Sequence, residues 1–439
     1  MNIGFISLGC PKNLVDTEIM MDILRKNGHR IVNSPERADA VVINTCGFIT
    51  DAKEESIETI IEMGKLKDSG VVKYIIATGC LTQRHGQELL DEMPELDGVL
   101  GISRFKEITA ALAAIEDGDR PMKISDPPTI FIEKGRRMLT TPPGMAYMKI
   151  AEGCDNICTY CAIPSIRGRF RSKTMEDIEN EGRLLVQQGV KELVLIAQDT
   201  AVYGKDIYDR PSLPEVLSRL NRIEGLEWIR MMYLHPAHLD KEIIDSVALN
   251  RKVIPYLDIP IQHASNSILT RMNRRHDLDY LRTLLSNLKS EIEDLVLRTT
   301  VMLGFPGEEE HDFRVLYDFL AENRFDWLGA FVFTPEEGTH AASMENQVPL
   351  EIAQERREQI MQLQKKISRE KNILRIGRTE NILISSQMEN NMYLGRGYYQ
   401  APDVDGLTII KTPVKLKKGE FARVHLKAVR NYDLIGEAE

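Results

Sequence analysis

Cys154, Cys158 and Cys161 stand in the run EGCDNICTYCAIP, separated by three residues and then by two. Thiolates at that spacing on one short loop can converge on a single centre, and soft sulfur ligands select iron–sulfur clusters or zinc. A structural zinc needs a fourth ligand, yet no Cys or His follows at finger or knuckle spacing, and the next histidine is His235. Three thiolates on a four-iron cubane leave one iron open to a small molecule, which is the ligand set of a catalytic site. The alternative, three cysteines packed in a core, sits badly with a loop rich in Gly, Asp and Asn.

The other three cysteines each close an apolar run: NIGFISLGC at Cys10, ADAVVINTC at Cys46 and VKYIIATGC at Cys80. Val- and Ile-rich runs flanked by helical patterns read as buried parallel strands. Ligands in open parallel sheets gather at the carboxyl ends of the strands. Gly9, Gly47 and Gly79 beside the thiols permit tight turns and close backbone approach. Three cysteines distant in sequence are therefore expected at one sheet edge, binding a second cluster with a second open iron; the competing reading is three unrelated core cysteines.

Around these residues the sequence divides into segments. At 439 residues, with 43% hydrophobic content, the chain is long for one domain, and two or three are expected. Residues 1–118 alternate strands and helices and predict a doubly wound α/β domain. In it Asn13 is placed to cap the helix LVDTEIMMDILRKNG. Residues 119–143, with EKGRRM and TTPPG, read as a linker. From 144, six strand candidates (AYMKIAEGC, ELVLIAQDT, WIRMMYL, YLDIPIQ, LRTTVMLGFPG, WLGAFVFT) alternate with amphipathic helices, predicting a six-unit partial (βα) barrel. Its polar residues fall at strand ends: Gln198 and Asp199, His235, Gln262 and His263, then GFPGEE. The strand interiors read as plain aliphatic. Residues 350–372 form a charged helix, read as a solvated connector, and this segment closes at 372. Residues 373–439 alternate in five short runs and predict a small closed β-barrel of OB type.

The net charge of −10 argues against a general polyanion binder. From Lys371 onward there are 11 Lys or Arg and 8 Asp or Glu, a mild +3, leaving −13 elsewhere. The amino terminus has no basic leader and no run approaches bilayer length, so a cytoplasmic protein without membrane contact is expected, its thiols reduced.

Cys-x3-Cys-x-Tyr-Cys resembles the signature of the radical S-adenosylmethionine (SAM) enzymes. The order of cluster domain, barrel and tail is similar to the methylthiotransferase family over essentially the full length, the tail resembling its TRAM domain. That resemblance implies two 4Fe-4S clusters, on Cys154, Cys158 and Cys161 and on Cys10, Cys46 and Cys80. It also implies SAM as cofactor, cleaved reductively at the first site, and sulfur attached and methylated through the second. By family position, Tyr160, Gln198, Asp199, Gly304, Phe305 and Gly307 are expected to contact SAM, although Tyr160 fits equally well as loop packing. Arg167, Arg169, Arg171 and Lys173 of RGRFRSK read either as a solvated basic loop or as clamps for a carboxylate of SAM or substrate.

Within the family, SLGCPKNLVD, LIAQDT, YLHP, DIPIQHAS and PEEGT resemble the branch that modifies an aspartate β-carbon of small-subunit ribosomal protein number twelve. The tRNA-modifying branch, acting on isopentenyladenosine beside the anticodon, usually has GCQMN where this chain has GCPKN, and a valine-containing IVP or VVP where it has AIP. A tRNA partner is therefore not expected, and an electron donor such as flavodoxin or ferredoxin is. A non-catalytic iron–sulfur, ribosome-binding factor is the reading from another class. The tail is expected to dock the target, so that a chain lacking it keeps both clusters and SAM cleavage.

Overall fold

Apolar β-branched runs become parallel strands throughout the first 332 residues. The computed structural model describes residues 1–132, 135–389 and 391–439; Glu133 and Lys134 of the EKGRRM run lie outside the described residues, as does Asn390. The chain forms two compact units. The first comprises Met1–Thr140, Ala151–Lys173 and Thr334–Ala342, and the second Thr141–Ile150, Thr174–Phe333 and Ser343–Glu439.

In the first unit, strands β1 (Asn2–Ser7), β2 (Arg30–Val32), β3 (Ala40–Thr45), β4 (Tyr74–Gly79), β5 (Gly98–Gly101) and β6 (Met122–Lys123) form a parallel sheet in the order β2-β1-β3-β4-β5-β6. Reversal of direction at β1 gives the doubly wound topology. Helices α1 (Pro11–Lys26), α2 (Thr50–Asp68), α3 (Cys80–Glu92) and α4 (Ile108–Glu116) connect the strands. Every residue of β3 is buried, and Val41 and Ile43 join Ile60, Ile75 and Leu89 in one core. Each such side chain contributes about 1.5–3 kcal/mol. The segment after α4 is anchored on Glu18, which accepts from Arg137 at 3.0 Å and from the Thr140 amide at 2.8 Å. Both Arg137 and Glu18 are buried.

The second unit begins with β7 (Met145–Lys149). The cysteine loop that follows belongs to the first unit and is bracketed there by the antiparallel pair β8 (Ala151–Glu152) and β9 (Arg171–Ser172). Five more parallel strands, β10 (Glu192–Ile196), β11 (Trp228–Met231), β12 (Val253–Asp258), β13 (Val296–Leu303) and β14 (Trp327–Val332), complete a sheet ordered β14-β13-β12-β11-β10-β7. This is the expected six-unit partial barrel. The tail closes as β15 (Thr379–Gln387), β16 (Met392–Arg396), β17 (Thr408–Lys411), β18 (Phe421–Arg430) and β19 (Asp433–Ala438), ordered β15-β16-β17-β19-β18 with β17 parallel to β19. That is the five-stranded OB-like barrel.

Two expectations fail here. The helix Leu350–Ile373 is no solvated connector. Ala353, Arg356, Ile360, Gln364, Ile367, Ser368 and Asn372 form a buried stripe, and Gln364 Nε2 donates to the Phe325 and Asp326 carbonyls. Its polar residues misled because they make hydrogen bonds to backbone instead of facing water. Nor are the strand interiors plain aliphatic, because Glu192, Arg230, Asp258 and Arg298 are buried within them. Asp258 pairs with Arg298 at 3.0 Å, and the other partners lie in residues 396–405, from the end of β16 into the loop before β17. Arg396 pairs with Glu192 at 2.6 Å, and Glu192 also accepts from Arg230 Nε at 2.8 Å. Asp405 accepts from the Tyr256 hydroxyl at 2.7 Å and faces Arg298 Nε at 3.5 Å. Tyr147 donates to Asp403 at 2.7 Å, and Trp327 Nε1 to the Tyr399 carbonyl at 2.6 Å. Arg230 Nη1 donates to the Tyr398 carbonyl at 2.9 Å, so one segment of the tail grips all six barrel strands. No helix among the described residues is long and apolar enough to cross a membrane.

Candidate functional site

The register of the first sheet aligns the ends of its central strands: Ser7 lies opposite Asn44, and Thr45 opposite Gly79. Cys10, Cys46 and Cys80 therefore emerge side by side at one carboxyl edge. Cys10 is the N-cap of α1, Cys46 follows β3 and Cys80 opens α3. Gly9, at φ +80°, keeps the approach open, because a Cβ there would stand 2.9 Å from Cys46 Sγ. Asn13 does not cap α1. Cys10 and Pro11 occupy the start of that helix, where proline's missing N–H costs nothing. The Asn13 amide instead donates to the Leu8 and Thr45 carbonyls at 3.1 and 3.0 Å, joining the loops that carry Cys10 and Cys46.

Burial pushes the Cys46 thiol up to about 11. Burial also raises Cys80, against the pull of the nearby Arg167 charge. Such thiols ionise when a metal supplies the positive charge, so the donor set fits a cluster and fits a redox-sensing nucleophile badly.

The second cysteine loop lies in the same unit. Cys154, Cys158 and Cys161 are half-buried. The Cys154 amide donates to the Gly168 carbonyl and the Cys161 amide to the Cys158 carbonyl, both at 3.1 Å, while the Asn156 amide faces Cys154 Sγ at 3.4 Å. The short helix Ile163–Arg167 then packs Ala162 and Ile166 against Cys80 and Ile102 in a small apolar cluster. Half-buried Tyr160 sits on this loop.

Of the basic residues in RGRFRSK, Arg169 alone is the solvated kind, exposed and paired with Asp155 at 3.3 Å. Arg167, Arg171 and Lys173 are buried. The carboxylates that Arg167 holds belong to the protein: Glu152 at 2.7 Å and Asp16 at 3.7 Å. Glu336 of PEEGT is likewise buried, and it accepts from Lys53 at 2.8 Å and Arg84 at 3.2 Å. Arg84 Nη1 also donates to the Gly47 carbonyl, next to Cys46. Glu152, Glu336 and Arg84 were missed by sequence reading. Their only signal was position, with Glu152 two residues before Cys154 and the PEEGT motif directly after the last barrel strand.

In the second unit the polar strand ends gather as expected. Asp199 Oδ2 meets His238 Nδ1 at 2.7 Å, the His235 ring lies 4.7 Å from that of His238, and His235 Nδ1 accepts from the Ala237 amide. Ligand atoms of Asp199, His235 and His238 lie within 4.8 Å of one another. The charge of Arg274 beside His235 works against a cation there. Gln198 is half-buried at the same strand end.

Beyond β13, buried Glu308 accepts from the Gly304 and Phe305 amides at 2.8 and 3.3 Å and from Arg356 at 2.9 Å. Phe305 packs edge-on to Phe333. Gly304, at φ +72°, has no room for a Cβ, because Ala353 of the Leu350–Ile373 helix fills that space. Gly307 lies against the Arg271 guanidinium.

Burial dominates the titration of five groups of the second unit. It lowers His263 to about 3 and His276 to about 4, and it lowers His235 as well, helped by Arg274. Burial raises Glu308 and Asp405 to about 6. In the unfolded chain the three histidines take up protons below about 6.5. In the folded state they stay neutral, so their share of stability is lost as pH falls below that value. The two carboxyls oppose the trend by binding protons in the folded state near 6. Three against two leaves an uptake of roughly one proton on unfolding between pH 6 and 5, about 1.4 kcal/mol of stability lost per pH unit. Urea midpoints at pH 7, 6 and 5 should fall accordingly, and His263→Asn should flatten the slope. A stability that does not change over this range would contradict the assignment.

Comparison with known proteins agrees with this architecture. Residues 2–101 match the uncharacterized protein family UPF0004, residues 148–320 the radical SAM superfamily and residues 376–438 the TRAM domain. Among solved structures, the fold is similar to that of TsrM, a radical S-adenosylmethionine methyltransferase from Kitasatospora setae. The TM-score is 0.59 at 12% identity, over 78% of this chain and 77% of that one. A protein of Syntrophomonas wolfei subsp. wolfei, ribosomal protein uS12 methylthiotransferase RimO, is 60% identical over 437 residues, 100% of each chain. RimO of Acetivibrio thermocellus is 46% identical, over 99% of this chain and 98% of that one. Identity at that level along the whole length leaves one assignment: the chain belongs to the RimO family of ribosomal protein uS12 methylthiotransferases.

Proposed function

We propose that this protein attaches a methylthio group to the β-carbon of an aspartate of ribosomal protein uS12, using two 4Fe-4S clusters and SAM. The observation that carries the reading is the pair of cysteine triads held within one compact unit. Membership of the radical SAM superfamily implies a 4Fe-4S cluster and SAM; the second cluster, on Cys10, Cys46 and Cys80, is our assignment. When bound, the cluster on Cys154, Cys158 and Cys161 supplies the electron that cleaves SAM, and the open iron of the other offers a place for sulfur. The protein's part is to hold six thiols, to orient SAM and to keep water out. For orientation we assign Tyr160, Gln198, Asp199, Gly304, Phe305 and Gly307, with the Gly304–Phe305 turn fixed by Glu308 and Arg356.

We divide the chain functionally into a cluster domain (1–118), a linker (119–143), a catalytic barrel (144–372) and a TRAM tail (373–439), working in the cytoplasm with flavodoxin or ferredoxin as electron donor. Action on tRNA is not favoured, given relatives named for uS12. A scaffold without catalysis is separated at once by assaying reductive SAM cleavage with dithionite.

Mass spectrometry of uS12 from cells with and without this enzyme tests the target. We expect one added methylthio group that disappears with the gene. Unchanged uS12 together with lost methylthioadenosine in tRNA would transfer the protein to the tRNA-modifying branch. In vitro, a soluble copy of the uS12 target loop should compete with substrate, whereas excess bulk tRNA should inhibit little.

A further inference from the structure

Arg167 is among the largest fully buried side chains of the protein, and its guanidinium reaches from the second cysteine loop to Cys80 of the first site. It lies six residues after Cys161, on the helix that ends the second cysteine loop, yet its Nη2 donates to Cys80 Sγ at 3.3 Å and to Asn13 Oδ1 at 2.5 Å. Nη1 donates to Glu152 Oε2 at 2.7 Å, and Asp16 stands at 3.7 Å. Arg171 fastens the backbone of the same turn by donating to the Arg167 carbonyl at 2.6 Å. Burying a guanidinium is costly unless charge and hydrogen bonds offset it. Two carboxylates and one sulfur do so here.

We propose that Arg167 is a positioning residue for the amino-terminal cluster: its hydrogen bond to the Cys80 sulfur and its charge raise that cluster's reduction potential, and Glu152 sets how far. The inference rests on the reading that Cys10, Cys46 and Cys80 bind a cluster. Hydrogen bonds to sulfur and local net charge are the protein's means of setting such potentials. Three thiolates bring negative charge into a buried site, and added electrons are easier to accept beside a fixed cation. Without Arg167, the carboxylates of Glu152 and Asp16 would face the cluster uncompensated. Because the arginine comes from the other cysteine loop, ordering of that loop also completes the environment of the first site.

The test uses the full-length chain carrying Cys154→Ala, Cys158→Ala and Cys161→Ala, reconstituted anaerobically so that only the amino-terminal site can bind iron. Iron is counted, and the midpoint potential is read by electron paramagnetic resonance during a redox titration. Arg167→Met should move the potential down by at least tenfold in the one-electron equilibrium, about 59 mV. Arg167→Lys should recover part of that, and Glu152→Gln should move it up. A residue that merely braces the fold would not shift the potential in opposite directions with the sign of the charge removed. Unchanged potentials at full iron content overturn the inference. If Arg167→Met fails to hold iron, Arg167→Lys and Glu152→Gln decide the sign on their own. Absence of iron in the parent triple variant would instead remove the two-cluster reading on which the inference stands.

Discussion

A chain ending at Ile373 should fail to give stable, soluble enzyme, instead of losing substrate docking alone. Residues 396–405 supply the partners of polar groups buried in all six barrel strands, among them Glu192, Arg298, Tyr147, Tyr256 and Trp327. Taking one partner from a buried ion pair costs about 3–5 kcal/mol, which is a large part of the stability of an ordinary domain. The expectation from sequence, that the tail is separable, is therefore revised. A milder variant gives the same answer without truncation. Arg396→Met should lower the unfolding free energy of the full chain by about 3 kcal/mol. Arg423→Met, which breaks an exposed pair with Glu439 at 3.3 Å, should cost under about 1 kcal/mol. Urea denaturation measures both. A soluble truncated chain with wild-type iron and SAM cleavage would mean that the buried pairs matter little.

Metal content should divide in half between the cysteine sets. Anaerobic reconstitution of the wild type is expected to give about eight irons, and replacing either triad by Ala should leave about four. The iron counts should separate because each triad has its own backbone frame, three strand ends in one case and one short loop in the other, and Arg167 joins them without supplying a ligand to either. Glu336, held by Lys53 and Arg84 beside Gly47, adds a graded version. Glu336→Gln should lower iron at the amino-terminal site while leaving the other near four. A wild type with only four irons, or a triad variant with none, would contradict the two-site account.

Much of this was legible in the chain. The runs ending at Cys10, Cys46 and Cys80 needed only β-branched content and flanking helical periods to be read as neighbouring strands. The six barrel strands and five tail strands follow from the same patterning. Pattern alone could not say what a polar residue faces. Glu192 and Arg230 stand in apolar strands, where a charge implies a partner; they pair with each other, but their remaining partners, Arg396 for Glu192 and the Tyr398 carbonyl for Arg230, lie more than 160 residues away. The Leu350–Ile373 helix looked solvated because Arg356, Gln364 and Asn372 count as polar; their hydrogen bonds go to Glu308, Phe325 and Tyr432. Asn13 looked like a cap because its spacing to the helix was right. Cys10 took that position, freeing the amide to tie two cysteine loops together.

The central claim is that the two cysteine triads do different work, and one measurement addresses it directly. The full-length Cys10→Ala, Cys46→Ala, Cys80→Ala variant is incubated anaerobically with SAM, dithionite and uS12, and both 5′-deoxyadenosine and modified uS12 are quantified in the same reaction. The account predicts 5′-deoxyadenosine at a rate near that of the wild type and no methylthiolated uS12. Methylthiolation at the wild-type yield would contradict it, and would leave those three thiols as packing in the sheet.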